Sequence, residues 1–319
     1  MGEIKVTEDA FALPDGLLAY RKTWTVTPPC LFNSRTNSET YIHQPSKTPV
    51  AILIHVHGFS EHINRYYDFF PTVAGRGILC TGIDQRGWGR TVRSKSDQGN
   101  AGTTETVLSD LASLLESYLS SSTTPVFIMG HSMGGAEILT MASTPKYQSL
   151  ISRVSGILLE SPYIALVPAR DTFAITRFLG RAIGAILPKQ QIVKRQPTEC
   201  VVNDPAVQED LSKDPLCHGT GTLEMFNNML RRGADLQSGN LVLNEGVKAL
   251  LLSHGTGDRL TSCDASREWF GREGKKVKDS QFKAYEGWSH QLHIDTPEHR
   301  PIYAKDVGDW ILARVGSKK

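Results

Sequence analysis

The sequence predicts an α/β fold: a mostly parallel central sheet flanked by helices, with an inserted helical cap. Three observations predict it. Continuous apolar runs recur in the first half of the chain and again near its end, as strands buried on both faces require. Segments of helical period lie between these runs, and that alternation argues a parallel sheet. After Glu160 the alternation stops, and it resumes near Val247. Residues 1–160 and 240–319 therefore read as the core and 161–239 as the cap.

Taken in order, two alternating segments near Tyr20–Val26 and Thr40–Gln44 read as an opening antiparallel hairpin. The buried strands follow: "VAILIHV" (Val50–Val56), "ILCTGI" (Ile78–Ile83), "VFIMG" (Val126–Gly130) and "VSGILLE" (Val154–Glu160). Helices are expected at Glu105–Leu119 and Ala136–Ala142. From Ser161 to about Gly239 the patterns are helical or loop-like, with no clear strand. Then come a strand at Val247–Gly255, a helix from about Ser262, a strand at Ser280–Gly287 and a closing helix near Pro297–Arg314.

Composition narrows the function. The chain has 319 residues, 39% hydrophobic and 21% charged, with a net charge of +2. No global field attracts nucleic acid. No apolar run approaches the roughly 18–20 residues needed to span a bilayer. The charged N-terminus lacks a signal-peptide core, and Val6 breaks the myristoylation pattern that Gly2 invites. Five cysteines form no CxxC pair. These features lead us to expect an intracellular, cytoplasmic protein.

One stretch carries chemistry. Gly130-His131-Ser132-Met133-Gly134 is a G-x-S-x-G sequence between a predicted strand and a predicted helix. A turn that sharp strains the serine backbone, and flanking glycines remove the side chains that would collide. The hydroxyl then stands exposed at a helix N-terminus that favours negative charge. A serine needs a base, and the base needs an orienting carboxylate, in the chain order serine, acid, histidine. Asp258 follows one late strand and His290 follows the next, so all three sit at strand ends on one sheet edge. Glu160 is the main rival acid. Asp264 is a rival helix cap, and Asp84 fits a glycine-rich turn. His254, His293 and His299 are rival bases. The Met133 N–H and, from the loop after the first buried strand, the Phe59 N–H are the expected oxyanion donors.

His55, His57 and His62 also make H-x-H-x4-H, a candidate zinc set. The carboxylate expected beside such a set is missing apart from Glu61. No metal or other cofactor is expected.

"HGFSEHINRY" (His57–Tyr66), "GHSMGGAEIL" (Gly130–Leu139), "HGTGDRL" (His254–Leu260) and "YEGWSHQLH" (Tyr285–His293) together resemble the monoacylglycerol lipases, serine hydrolases of the α/β-hydrolase fold. The resemblance covers most of the core, in order and with similar spacing. It implies Ser132, Asp258 and His290 as the triad, and Phe59 and Met133 as the oxyanion hole. It also implies Glu61, Arg65 and His293 around the glycerol end, with His62 supporting from behind. The implied reaction releases glycerol and a fatty acid from a monoacylglycerol. Another serine esterase, such as a lysophospholipase or an acyltransferase, would share every triad residue. A silent binding module would have lost one. Two departures stand out: Phe59 is bulky where animal members have a small residue, and Leu211 stands where they have a tyrosine.

The cap carries "VPARDTFAITRFLGRAIGAILP" (Val167–Pro188), apolar with Arg170, Arg177 and Arg181 on one helical face. A basic amphipathic helix suits a lipid surface. With the resemblance, it leads us to expect peripheral association with a membrane or lipid droplet.

Overall fold

The computed structural model describes residues 3–27, 48–168 and 186–315. The stretch carrying Arg170, Arg177 and Arg181 and the predicted strand at Thr40–Gln44 both lie outside them.

Ten strands are described: β1 (Glu3–Ala12), β2 (Leu18–Thr27), β3 (Ala51–Val56), β4 (Ile78–Ile83), β5 (Val126–His131), β6 (Gly156–Glu160), β7 (Gln191–Val193), β8 (Thr220–Thr222), β9 (Ala249–Gly255) and β10 (Asp279–Tyr285). Eight build one sheet in the order β1-β2-β4-β3-β5-β6-β9-β10. The six strands from β4 to β10 are parallel, and β1 and β2 add an antiparallel edge.

Strand period places the core on both faces. Ile52, Ile54 and Val56 join Ile128 and Leu252 under the helices Thr104–Ser121, Met133–Ala142 and Cys263–Arg272. Their neighbours Ala51 and Leu53 join Phe127, Met129 and Leu251 under Phe69–Ala74 and His299–Val315. With both faces covered, the loops at the C-terminal ends of the parallel strands are left to form a site.

Two expectations are corrected. The opening hairpin pairs β1 with β2, from Glu3↔Thr27 to Ala12↔Leu18, so the partner of Tyr20–Val26 precedes it. β1 is almost entirely solvent-exposed, and its brief Ile4–Val6 alternation breaks at Glu8. Charged residues on an exposed edge strand discourage pairing with other chains, and they hide the strand from pattern reading. Its turn was legible: Leu13-Pro14-Asp15-Gly16 closes with Asp15 Oδ1 accepting from Leu17 N at 3.2 Å and Gly16 at φ 84°.

The second correction concerns residues 161–239, where β7 and β8 pair as a short antiparallel ribbon beside the helices Pro205–Lys213 and Leu223–Ser238. Hydrogen bonds clasp this ribbon to the core. Thr222 N donates to Gly99 O at 3.1 Å, and Gln191 Nε2 donates to Lys95 O at 2.9 Å and Gln98 O at 2.8 Å. Gly99 is needed there: it sits at φ 66°, and a Cβ would strike the Thr220 carbonyl.

Candidate active site

Ser132 lies between β5 and the helix Met133–Ala142, at φ 52° and ψ −116°. That backbone is costly for a residue with a side chain, and such strain concentrates at working sites. Its neighbours hold it there. Ser132 N donates to Glu160 O at 2.9 Å, and Ser132 O accepts from Tyr163 N at 2.9 Å. The glycines are required on steric grounds. A Cβ at Gly130 would lie 2.6 Å from Ile138 Cδ1, and one at Gly134 would strike the Val56 carbonyl.

Asp258 and His290 meet from neighbouring strands. Asp258 follows β9 and His290 follows β10, and those strands pair in register up to Gly255↔Tyr285. His290 Nδ1 is 2.7 Å from Asp258 Oδ2. The same oxygen accepts from Thr261 Oγ1 at 2.7 Å and lies 3.1 Å from His254 Nε2. The other oxygen accepts from Leu260 N at 2.7 Å and Thr261 N at 3.0 Å. Burial alone would raise the pKa of Asp258. The adjacent His290 and the bonds from His254 and His290 outweigh it and hold the carboxyl well below the usual carboxylate range. Asp258 is thus charged, buried and fixed.

The rivals fall elsewhere. Ser262, not Asp264, caps the helix Cys263–Arg272 through its side chain. Asp84 accepts from Ile63 N and Arg90 N, each at 2.7 Å, and organises its turn. Glu160 Oε1 lies 2.7 Å from His293 Nδ1. His299 pairs with Asp295 at 2.7 Å. His55 packs between Tyr66 and Phe70, and His57 Nε2 accepts from Gln85 N at 2.9 Å. His62 Nε2 is 2.7 Å from Asp214, whose carboxylate also lies 3.6 Å from the Arg65 cation.

The loop that carries the expected oxyanion donor Phe59 is braced from below by Glu61. Its Oε2 accepts from Gly58 N at 2.7 Å and Tyr66 Oη at 3.2 Å, and lies 3.0 Å from His131 Nδ1. Its Oε1 accepts from Gln291 Nε2. Three loops that carry Phe59, Ser132 and His290 are thereby tied to one buried carboxylate. Burial lowers the basicity of His131, but the Glu61 anion beside it prevails and lifts it to about 9. Glu61 is held well below its ordinary value against the opposing effect of burial. The pair is ionised at neutral pH. A Cβ at Gly58 would lie 2.9 Å from His131 Nδ1 and 3.2 Å from Ser132 Cβ, so the loop backbone rests against the serine. Met133 N–H opens its helix and has no acceptor within it. The Phe59 ring packs on Trp88 at 5.0 Å and on Phe226 at 5.4 Å.

Of the residues implied for a glycerol end, Glu61 is spent on this brace. Arg65 is buried, with Nη1 3.4 Å from Asp210 and its Nε and Nη2 without partners among the described residues. His293 is fully buried and stacked on Tyr66 at 4.2 Å, with Nε2 also unpartnered. Leu211 packs beside Cys200, Val201 and Leu260. The sequence reasoning missed Thr261, His131 and Gln291. Their signal was adjacency: each lies within three residues of Ser132, Asp258 or His290.

A family model described as Hydrolase_4, serine aminopeptidase S33, matches residues 47–297. The chain belongs to the Hydrolase_4 family. Its relatives within reach of sequence comparison include the monoglyceride lipase of Mus musculus, 27% identical over 285 residues, with 86% of each chain covered. The monoglyceride lipase of Homo sapiens is also 27% identical, over 286 residues, again with 86% of each chain covered. Among solved structures, a soluble variant of monoglyceride lipase from Saccharomyces cerevisiae, in complex with a substrate analog, superposes with a TM-score of 0.80 at 21% identity. It covers 97% of this chain and 95% of that one. That likeness shows the α/β-hydrolase fold. This Hydrolase_4 member is therefore a monoglyceride lipase-like serine hydrolase by family.

Proposed function

We propose that this protein is a carboxylic-ester hydrolase that cleaves monoacylglycerols to glycerol and a free fatty acid. The observation that carries the proposal is the 2.7 Å bond from His290 Nδ1 to a buried, charged Asp258, on the sheet edge where Ser132 is held at φ 52°. The names of the relatives support the substrate. His290 takes the proton as Ser132 Oγ attacks the ester carbonyl. Asp258 fixes the imidazole tautomer and stabilises the imidazolium. The Phe59 and Met133 N–H groups receive the oxyanion. Glycerol leaves with the proton from His290, and water repeats the sequence on the acyl-enzyme.

At the alcohol end, Arg65 and His293 keep buried nitrogens free among the described residues, and these suit glycerol hydroxyls. Glu61 serves the same end indirectly by holding Gly58 and the oxyanion loop. Lipid substrates lie in surfaces, and peripheral association through the cap is part of this reading. No described helix is long and apolar enough to cross a membrane.

A substrate panel tests the proposal: mono-, di- and triacylglycerols, lysophospholipids, p-nitrophenyl esters and an aminoacyl anilide, with chain length varied. Monoacylglycerols are expected to give the highest kcat/KM. Preference for a lysophospholipid would overturn the alcohol assignment and leave the triad standing. Failure of a fluorophosphonate to label Ser132 would overturn the nucleophile.

A further inference from the structure

A second imidazole lies on the catalytic acid. His254 lies near the end of β9, four residues before Asp258, and both side chains are fully buried. His254 Nε2 is 3.1 Å from Asp258 Oδ2, the oxygen that holds His290. Its other nitrogen, Nδ1, is 3.0 Å from Ser266 Oγ on the helix Cys263–Arg272. Asp258 is charged, so the nitrogen that faces it carries the proton. Ser266 Oγ–H then donates to Nδ1, which fixes the opposite tautomer from that of His290. Thr261 Oγ1 lies 3.4 Å from His254 Nε2 and 3.2 Å from His290 Nδ1, which places it between the two rings.

We propose that His254 is a positioning residue for the proposed ester hydrolysis, clamping Asp258 Oδ2 through Nε2–H so that the carboxylate holds His290 in its working tautomer. A carboxylate turns about two single bonds, and backbone donors reach only Oδ1. Oδ2 carries the bond to His290, and the donors that touch it are all side chains. Of these, Thr261 Oγ1 has one proton and a competing acceptor, Ser161 O at 3.2 Å. His254 is the rigid donor, braced from β9 and from Ser266, and its Nε2 lies nearer Asp258 Oδ2, at 3.1 Å, than the Thr261 carbonyl at 3.4 Å. The inference rests on the triad reading, not on the identity of the alcohol.

Two isosteric replacements separate positioning from packing. Gln places its amide N–H near the site of Nε2 and keeps the donor to Asp258. Asn places its amide near Nδ1, keeping the Ser266 contact and losing the donor. On a soluble p-nitrophenyl ester, His254→Asn should lower kcat about 10- to 100-fold, the scale of one hydrogen bond to a charged group, with KM within about twofold. His254→Gln should stay within about threefold of wild type. A kcat for His254→Asn equal to wild type, equal losses in both variants, or a change confined to KM would each overturn the proposal. Should His254→Asn not fold by calorimetry, Ser266→Ala decides the question. It frees the tautomer and should lower kcat several-fold at constant KM, and an unchanged kcat overturns the clamp. Failure of the monoacylglycerol reading would appear separately, as wild-type inactivity on that substrate with the p-nitrophenyl arm intact.

Discussion

Two histidines three residues apart each place Nδ1 at 2.7 Å from a buried carboxylate, His290 on Asp258 and His293 on Glu160. Their surroundings differ. Asp258 has donors on both oxygens: Leu260 N, Thr261 N, Thr261 Oγ1 and two imidazoles. Glu160 is served by His293 alone, through N and Nδ1, and its Oε2 is buried without a partner among the described residues. His293 lies between Tyr66 and Phe69, with Nε2 buried and without a hydrogen-bond partner among the described residues. His290 lies against His131, the neighbour of Ser132. A histidine–carboxylate bond is therefore common to the proposed base and to a histidine outside the proposed triad. The fixing of the carboxylate and the surroundings of the far nitrogen tell them apart.

The largest expected effect would break the comparison outright. Asp258→Asn should cost roughly 10⁴-fold in kcat by admitting the wrong tautomer of His290. Glu160→Gln should cost far less on the same soluble ester. A reversal of that order in steady-state kinetics would move the acid to Glu160. Ser132→Ala should lose on the order of 10³-fold or more in ester hydrolysis with the thermal midpoint retained, because removing Oγ relieves nothing in the core. Near-wild-type turnover would remove the serine from the mechanism.

A smaller effect sharpens the contrast. His293→Ala should lower kcat/KM on a monoacylglycerol by about 1–2 kcal/mol, one lost hydrogen bond, and barely touch a p-nitrophenyl ester. His290→Ala should abolish both. Equal losses on both substrates for His293→Ala would make it structural or catalytic.

The smallest effect concerns pH. His131, lifted to about 9, stabilises the fold fully below its ordinary value of 6.5, and that contribution is lost as pH rises through about 9. Glu61 works in the opposite sense: its contribution is present above the ordinary glutamate range and lost as pH falls below it. The wild-type thermal midpoint should fall by roughly 2–4 °C as pH rises through about 9. Glu61→Gln should flatten that step, because His131 then lacks its anion. Identical slopes in calorimetry would show that Glu61 does not hold the charge on His131.

Much of the fold and of the candidate site is legible in the residues alone. The four continuous runs became β3, β4, β5 and β6 because strands buried on both faces can hardly be written otherwise. The serine turn declared itself through its glycines. What stayed hidden had physical reasons. β1 satisfies its backbone on one side and exposes its side chains, so the Ile4–Val6 alternation stops at Glu8 and no apolar period runs the length of the strand. The ribbon strands are three residues each, too short for a period to show. Glu61, read from resemblance as a substrate contact, braces Gly58, His131 and Gln291, a role that depends on three separate loops meeting. Sequence patterns report faces and turns; convergence of distant loops has no local signature.

The clasp between the ribbon and the 95–99 loop bears on how the molecule comes apart. Gly219 N also donates to Ser60 Oγ in the oxyanion loop at 2.7 Å, and a side chain at Gly99 would drive ribbon and core apart. Residues 161–239 are thus no detachable module with a private stability. Removing them would leave the Gly99 carbonyl and the Ser60 hydroxyl without these partners and would strip the cover from Trp88 and Met133, which pack with Met225. Insertion and sheet share their cooperativity. Heating should give one calorimetric transition whose van't Hoff and measured enthalpies agree, and Gly99→Val should lower that single transition instead of splitting it in two.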